Sequence, residues 1–192
     1  LNIYEGEVIK SLARKNNLSN FTIINSCSVT QEAEKKVKYE IRKSKKNFPE
    51  KKIIVTGCAA QINPQKYANI DEVDFVLGNK EKLQGQTWSS LSNSNPIQVK
   101  DIFSNNTIHN NIVEKFEGKS RAYIEIQQGC DHRCTFCIIP FGRGNNRSVS
   151  VGTIVQRIQT LVNNSYNEVV LTGVDITDYG RDLPGKPNLF QL

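Results

Sequence analysis

Apolar and polar positions change period several times along the first eighty residues. From Tyr4 to Lys15, Ile9, Leu12 and Ala13 fall at helical spacing and predict an amphipathic helix. Phe21-Thr22-Ile23-Ile24-Asn25 is a short β-rich run that ends at Ser26-Cys27-Ser28. Thr30 is placed to cap a helix over about 31–47, which Pro49 closes. Ile53, Ile54 and Val55 mark a buried strand over 52–56 that ends at Gly57-Cys58. Asn63-Pro64 is a helix start, a capping residue followed by proline at the first helical position. A further short strand over 74–77 stops at Gly78. Strand–helix units repeated in this way predict a parallel α/β sheet.

The pattern lapses from about Lys82 to Glu117. Ser89, Ser90, Ser92, Asn93, Ser94 and Asn95 form one polar cluster, and Asn105, Asn106, Asn110 and Asn111 another. This stretch is expected to be a linker, with a short strand within 97–103. Periodicity resumes with an alternating strand over 121–127 leading to Gly129-Cys130. A helix over 151–163 follows, with Ile154, Val155, Ile158, Leu161 and Val162 on its apolar side, then a β-branched strand over 168–172 ending at Gly173. Strand, cysteine loop, helix and strand open a parallel barrel. The expected division is therefore a first domain at 1–82, a linker at 83–118 and the beginning of a second domain at 119–192. With no methionine, a start at Leu1 and an unfinished barrel, the chain is expected to be a piece of a longer product.

Bulk composition narrows the class. The chain has 192 residues, 38% hydrophobic and 23% charged, as in ordinary globular proteins. No apolar run approaches the roughly 18 residues of a membrane span, and no secretion pattern opens the sequence, so a cytoplasmic protein without membrane contact is expected. The net charge of +6 permits a polyanionic partner such as nucleic acid. Many of the lysines lie at Lys35, Lys36, Lys38, Lys43, Lys45, Lys46, Lys51 and Lys52, which suits a solvated helix face equally well.

There are five cysteines, Cys27, Cys58, Cys130, Cys134 and Cys137. An odd number without a secretion signal argues against a disulfide framework and toward metal ligands or reactive thiols. Cys27 and Cys58 each lie just past a strand end with a helix following, on the edge where open α/β sheets collect ligands. They could share one metal centre, although inert core cysteines are the competing reading. Cys130, Cys134 and Cys137 have the spacing C-x3-C-x2-C with Phe136 before the last. Three thiolates from one tight loop can hold three irons of a cubane 4Fe–4S cluster and leave the fourth open. A zinc site is the alternative, but zinc wants four ligands, and His132 lies inside the loop, where it reaches the same ion awkwardly.

With these residues in hand, the chain resembles the methylthiotransferase family of radical-SAM enzymes through nearly its whole length. The resemblance rests on Asn25-Ser26-Cys27-Ser28-Val29-Thr30, on Val55-Thr56-Gly57-Cys58-Ala59-Ala60-Gln61, and on Ser120-Arg121-Ala122-Tyr123 through Pro140-Phe141-Gly142-Arg143-Gly144. The stretch Val169-Val170-Leu171-Thr172-Gly173-Val174-Asp175 is most like the branch acting on N6-threonylcarbamoyladenosine in the anticodon loop of tRNA. Branches acting on isopentenyladenosine in tRNA or on a ribosomal protein are the nearest competitors.

The resemblance implies a flavodoxin-like domain followed by a partial radical-SAM (β/α) TIM barrel. It implies a 4Fe–4S cluster on Cys130, Cys134 and Cys137 whose open iron binds S-adenosylmethionine and yields a 5′-deoxyadenosyl radical. It also implies a second, auxiliary 4Fe–4S cluster, the source of the inserted sulfur, on three cysteines of the first domain. Two of these match Cys27 and Cys58; the third belongs to a Gly-Cys-x-x-Asn loop whose asparagine matches Asn2, which puts that cysteine ahead of Leu1. A second S-adenosylmethionine provides the methyl group.

Phe136, Gly173 and Asp175 fall where the superfamily contacts S-adenosylmethionine, although a core aromatic and a plain turn would also account for them. Arg143 and Arg147 could clamp a carboxylate or phosphate, or sit in a solvated loop. His109 and His132 are expected to be exposed without a role, and Tyr4-Glu5 to be part of the first helix. Two readings outside the family stay open: another radical-SAM reaction, and a zinc-stabilised nucleic-acid-binding module.

Overall fold

The computed structural model describes residues 1–28, 30–105, 108–109 and 111–192, and not the side chain of Ser92. Val29, in one motif of the resemblance, and Asn106 and Asn110, in the expected linker, lie outside the described residues.

The first half is a parallel α/β sheet. Helix α1 (Asn2–Lys15) leads to β1 (Phe21–Ser26), then α2 (Gln31–Asn47), β2 (Lys52–Gly57), the short helices α3 (Cys58–Ile62) and α4 (Pro64–Ala68), and β3 (Phe75–Leu77). The local signals act as expected: the Thr30 side chain accepts from Ala33 N, and that of Asn63 from Lys66 N with Pro64 in the first turn. Strands pair in the order β1-β2-β3, all parallel, with Ser26 opposite Gly57 at the end of the β1–β2 ladder.

Alternation along β2 feeds two cores. Ile53 and Val55 face Val37, Ile41 and Tyr67 beneath α2 and α4, while Ile54 turns to Ile9 of α1 and to Phe75 and Leu77. The lysines of α2 lie mostly on its outer face, as a solvated helix requires.

The stretch expected to be a linker is anchored to the core at several points. Helix α5 (Gly85–Ser89) places Trp88, 1% exposed, into the core under α1, and Leu91 follows it. The indole donates to the Lys82 carbonyl at 2.9 Å, so the polar neighbourhood hides an anchored aromatic. Strand β4 (Ile97–Gln98) then joins the sheet in parallel beside β3, completing the order β1-β2-β3-β4. Ile102 and Phe116 are buried as well. Serine and asparagine content registers solvent on one side of this segment and is blind to the few apolar residues that anchor the other.

The second half begins with β5 (Ala122–Glu125) and β6 (Gln127–Gln128), continues through α6 (Ile139–Arg143), β7 (Arg147–Ser148) and α7 (Val151–Asn163), and returns in β8 (Val169–Thr172). β5 and β8 pair in parallel with α7 between them, the expected opening of a barrel, and β6 and β7 form a small antiparallel ribbon. α7 buries Ile154, Arg157 and Leu161, whereas Val155 and Val162 are about half exposed, so its inward stripe is narrower than its apolar content. Helix α1 ties the two halves together. Ile9 faces the first sheet, while Tyr4 and Val8 pack with Phe116, Ile124, Ile126 and Tyr179 of the second half.

Candidate iron–sulfur and cofactor site

Cys27 and Cys58 leave the first sheet side by side. Each follows one member of the register pair Ser26–Gly57, and neighbouring strands run about 4.8 Å apart. Gly57 adopts φ 98, and a side chain there would stand 2.2 Å from the Ser26 carbonyl, so only glycine permits this close turn into α3. Ser26 Oγ donates to the Thr56 carbonyl and accepts from Ala60 N at 3.2 Å, which locks the two strand ends and the start of α3 together. Both cysteines are free and half-buried.

These two cysteines line one wall of a cavity of about 530 Å³. Thr172, Gly173 and Val174, at the carboxyl end of β8, line it too, with Arg143 and Leu1. The cavity thus joins the carboxyl edges of both parallel sheets, a characteristic place for ligands in α/β proteins.

The three-cysteine loop follows β6 and is pinned at several points. Cys130 N donates to the Gly144 carbonyl at 3.0 Å and Cys137 N to the Cys134 carbonyl at 3.0 Å. Arg133 donates to the Cys130 carbonyl at 2.8 Å and to Asn145, while Asn146 N donates to Asp131 at 2.9 Å. All three thiols are free, Cys134 exposed and Cys130 and Cys137 half-buried. A soft, unpaired thiolate set on one pinned loop fits an iron–sulfur cluster. His132 turns to two carboxylates: its Nε2 lies 3.3 Å from Asp175 Oδ2 and 3.7 Å from Asp178 Oδ2. Burial, then the nearby Asp175 carboxylate, raises the Cys130 thiol above its ordinary value, so a metal held there would displace a proton.

The remaining expected residues separate. Gly173 lines the cavity, and Asp175 lies beside the loop, its Oδ2 3.6 Å from Cys130 Sγ. Phe136 is 90% exposed, which rules out the core-aromatic reading and leaves its ring free to cover a ligand. Gln127, which sequence reading passed over, stitches the region: its Oε1 accepts from Val174 N and Asp175 N at 2.7 and 2.8 Å, and its Nε2 donates to the Gly129 carbonyl at 2.7 Å. His109 is half-buried rather than exposed, and burial lowers its pKa.

Neither arginine of the glycine-flanked stretch is in a solvated loop. Arg147 is buried and donates to the carbonyls of Arg143 and Asn145, both at 2.8 Å. Arg143 is buried against Glu5, which was expected to be an ordinary helix residue and is 1% exposed. Lys82, fully buried, reaches the other oxygen of Glu5 at 2.8 Å, and Gln128 bridges Glu5 to Glu125. Burial alone would raise the Glu5 pKa, but the charges of Lys82 and Arg143 hold it well below the usual carboxylate range. Glu125 is pushed up to about 7 by burial and by the Glu5 charge. Arg143 lines the same cavity as Cys58, so this charged centre lies directly behind the cysteine rim.

Comparison with known proteins matches the two halves separately. Residues 5–78 match a family described as uncharacterized protein family UPF0004, and residues 124–185 match the radical SAM superfamily. A threonylcarbamoyladenosine tRNA methylthiotransferase of Rickettsia prowazekii (strain Madrid E) is 50% identical over 192 residues, 100% of this chain and 45% of that protein. A protein of the same name from Aquifex aeolicus (strain VF5) is 37% identical over 164 residues, covering 83% of this chain and 40% of its own length. A ribosomal protein uS12 methylthiotransferase of Gloeothece citriformis (strain PCC 7424) is 34% identical over 181 residues, 91% of this chain and 40% of that protein. The chain therefore spans less than half the length of these relatives. Among the described residues, no helix is long and apolar enough to cross a membrane.

Proposed function

The chain belongs to the radical-SAM methylthiotransferase family, whose superfamily uses S-adenosylmethionine and an iron–sulfur cluster, and from that premise we propose that the protein it is part of adds a methylthio group to C2 of N6-threonylcarbamoyladenosine in tRNA. The observation that carries this reading is the 530 Å³ cavity shared by Cys27 and Cys58 on one side and the Thr172–Val174 strand end on the other. Sulfur insertion needs a sulfur-bearing centre and a radical-generating centre facing one substrate atom, and two parallel-sheet edges opening on one space suit that need.

In this reading, residues 1–82 serve as the auxiliary-cluster domain and 119–192 as the beginning of the radical-SAM domain. Cys130, Cys134 and Cys137 hold the radical-SAM 4Fe–4S cluster, and Cys27 and Cys58 give two ligands to the auxiliary one. When bound, the first cluster supplies the electron that cleaves S-adenosylmethionine. Gly173 lines the cavity at the β8 end, its missing side chain making room for Gln127 and Ile176 rather than for a ligand, while Asp175 would offer the cofactor a carboxylate beside the loop and exposed Phe136 would cover it. The working place of the enzyme is the cytoplasm, on the anticodon loop of tRNA. Among the relatives described, the highest identities belong to proteins named for threonylcarbamoyladenosine tRNA rather than for uS12, which favours this substrate.

Two measurements test the proposal. Anaerobic reconstitution with iron and sulfide should give a cluster whose EPR spectrum changes on adding S-adenosylmethionine; tight stoichiometric zinc without sulfide would overturn it in favour of a nucleic-acid-binding module. Full-length protein supplied with tRNA carrying N6-threonylcarbamoyladenosine should yield the 2-methylthio nucleoside by mass spectrometry. Modification of isopentenyladenosine or of uS12 instead would move the protein to a neighbouring branch.

A further inference from the structure

Asn79 stands one residue beyond the glycine that ends β3, at the meeting point of the two halves, and is 8% exposed. Its backbone is fixed first. Gln61 Oε1 accepts from Asn79 N at 2.8 Å, while Gln61 Nε2 donates to the Lys100 carbonyl at 2.9 Å. The side chain then points its amide at two acceptors from different halves of the chain. Nδ2 lies 2.6 Å from the Gly142 carbonyl of α6 and 3.5 Å from Cys58 Sγ. Both acceptors demand the N–H end of the amide, so chemistry fixes its orientation.

The opposite end of the amide faces a different environment. Asn79, Asn105, His109 and Arg147 line a small cavity of about 20 Å³. Asn79 Oδ1, Asn105 Oδ1, His109 Nε2 and Arg147 Nε have no hydrogen-bond partner among the described residues. That volume accommodates one water, and two carbonyl acceptors with up to two N–H donors match its hydrogen-bonding capacity. A water held there would set Asn79 from behind as well as along its backbone.

We propose that Asn79 is a positioning residue for the auxiliary iron–sulfur centre: its amide donates to the sulfur of Cys58 and, through the Gly142 carbonyl, fixes that sulfur relative to the radical-SAM half. The inference rests on the reading that Cys58 ligates the auxiliary cluster. An N–H donated to a ligating sulfur stabilises the reduced cluster and raises its reduction potential. The Asn79 amide therefore sets both the place and the potential of the sulfur-bearing centre, without touching substrate.

The test uses full-length protein in which Cys130, Cys134 and Cys137 are all replaced by alanine, so that only the auxiliary cluster can form and be titrated by EPR. Without iron in this background, the ligand reading fails and the inference with it. With iron present, Asn79→Ala and the bulkier Asn79→Leu, which fills the space but donates nothing, should both shift the midpoint to lower potential. An unchanged midpoint in both overturns the inference while leaving the ligand reading intact. In protein retaining all its cysteines, loss of auxiliary iron with the S-adenosylmethionine-sensitive EPR signal kept supports a positioning role. Loss of both clusters together would make Asn79 a folding residue and overturn it.

Discussion

Arg143 Nη1 meets Glu5 Oε1 at 2.5 Å across 138 residues of sequence, and this buried pair, with Lys82 on the other oxygen, joins the two halves of the chain. The same guanidinium donates to Asn2 at 3.0 Å and to Gln128 at 3.1 Å, so α1, α6 and β6 converge on one carboxylate. Glu125 stands close by, linked through Gln128, and Glu5, Lys82, Glu125, Gln128 and Arg143 are all withdrawn from water.

Glu5→Gln tests that junction. Among the described residues Glu5 is the one carboxylate in ion-pair contact with both cations, and its loss leaves Lys82 and Arg143 buried without that partner. Removing one partner of a buried ion pair costs about 3–5 kcal/mol, because the stranded charge keeps its desolvation penalty. Urea melts should show a lower midpoint of that order. A loss below about 1 kcal/mol would mean that the junction relaxes and admits water.

Glu125 gives stability a pH dependence opposite to the usual carboxylate behaviour. Its folded pKa, about 7, is above the ordinary 4.5, so the folded state binds the proton more tightly than the unfolded state. Stability from this group is full below about pH 4.5, falls as pH rises toward 7, and is level above that. Glu5 runs the other way, its contribution falling away as pH drops below the ordinary carboxylate range. Glu125→Gln should therefore gain on the parent protein between pH 5 and pH 8, by on the order of 2–3 kcal/mol across the window. Equal melting temperatures for both proteins across the window would disprove the assignment.

The cysteines are expected to divide into two functional sets. Cys130→Ala, Cys134→Ala or Cys137→Ala should each abolish the EPR change caused by S-adenosylmethionine. Cys27→Ala or Cys58→Ala should retain that change but lower the iron content of the full-length protein. Loss of the cofactor response in the Cys27 or Cys58 variants would mean that the sets are not independent.

How much of this was legible in sequence depends on how local each signal is. The strands at Phe21–Ser26 and Lys52–Gly57 are dense β-branched runs, and the helix after Thr30 carries its own cap, so the cysteine rim could be located without a structure. The three-cysteine loop declares itself by spacing alone. Glu5 could not be singled out, because its partners Lys82 and Arg143 are 77 and 138 residues away and nothing around Tyr4-Glu5 marks it. Arg143 and Arg147 sit among glycines and asparagines, a context that resembles exposed loop until tertiary contacts bury it. Asn79 and Gln127 are single amides whose value lies in the number of chain segments each joins.

Gly142 offers a steric probe of the contact between halves. A β-carbon built at this position would lie 3.0 Å from Cys58 Cβ and 3.4 Å from Cys58 Sγ, too close to be accepted without a shift of a few tenths of an ångström. The displaced element would be α6, since Cys58 opens α3 and is tied through Ala60 N to Ser26. Moving α6 lengthens the bond from Asn79 to the Gly142 carbonyl and draws Arg143 away from Glu5. Gly142→Ala should thus cost about 1–3 kcal/mol, as overpacking does at tight contacts. Its diagnostic effect is selective: iron bound through Cys27 and Cys58 should fall further than iron on the Cys130–Cys137 loop, which besides its bond to Gly144 is held by Arg133 and Asn146. Iron counts in Gly142→Ala, compared with Gly142→Ala in the Cys130/Cys134/Cys137 triple-alanine background, separate the two losses. Equal depletion of both centres would mean that α6 positions the whole second half rather than the auxiliary rim.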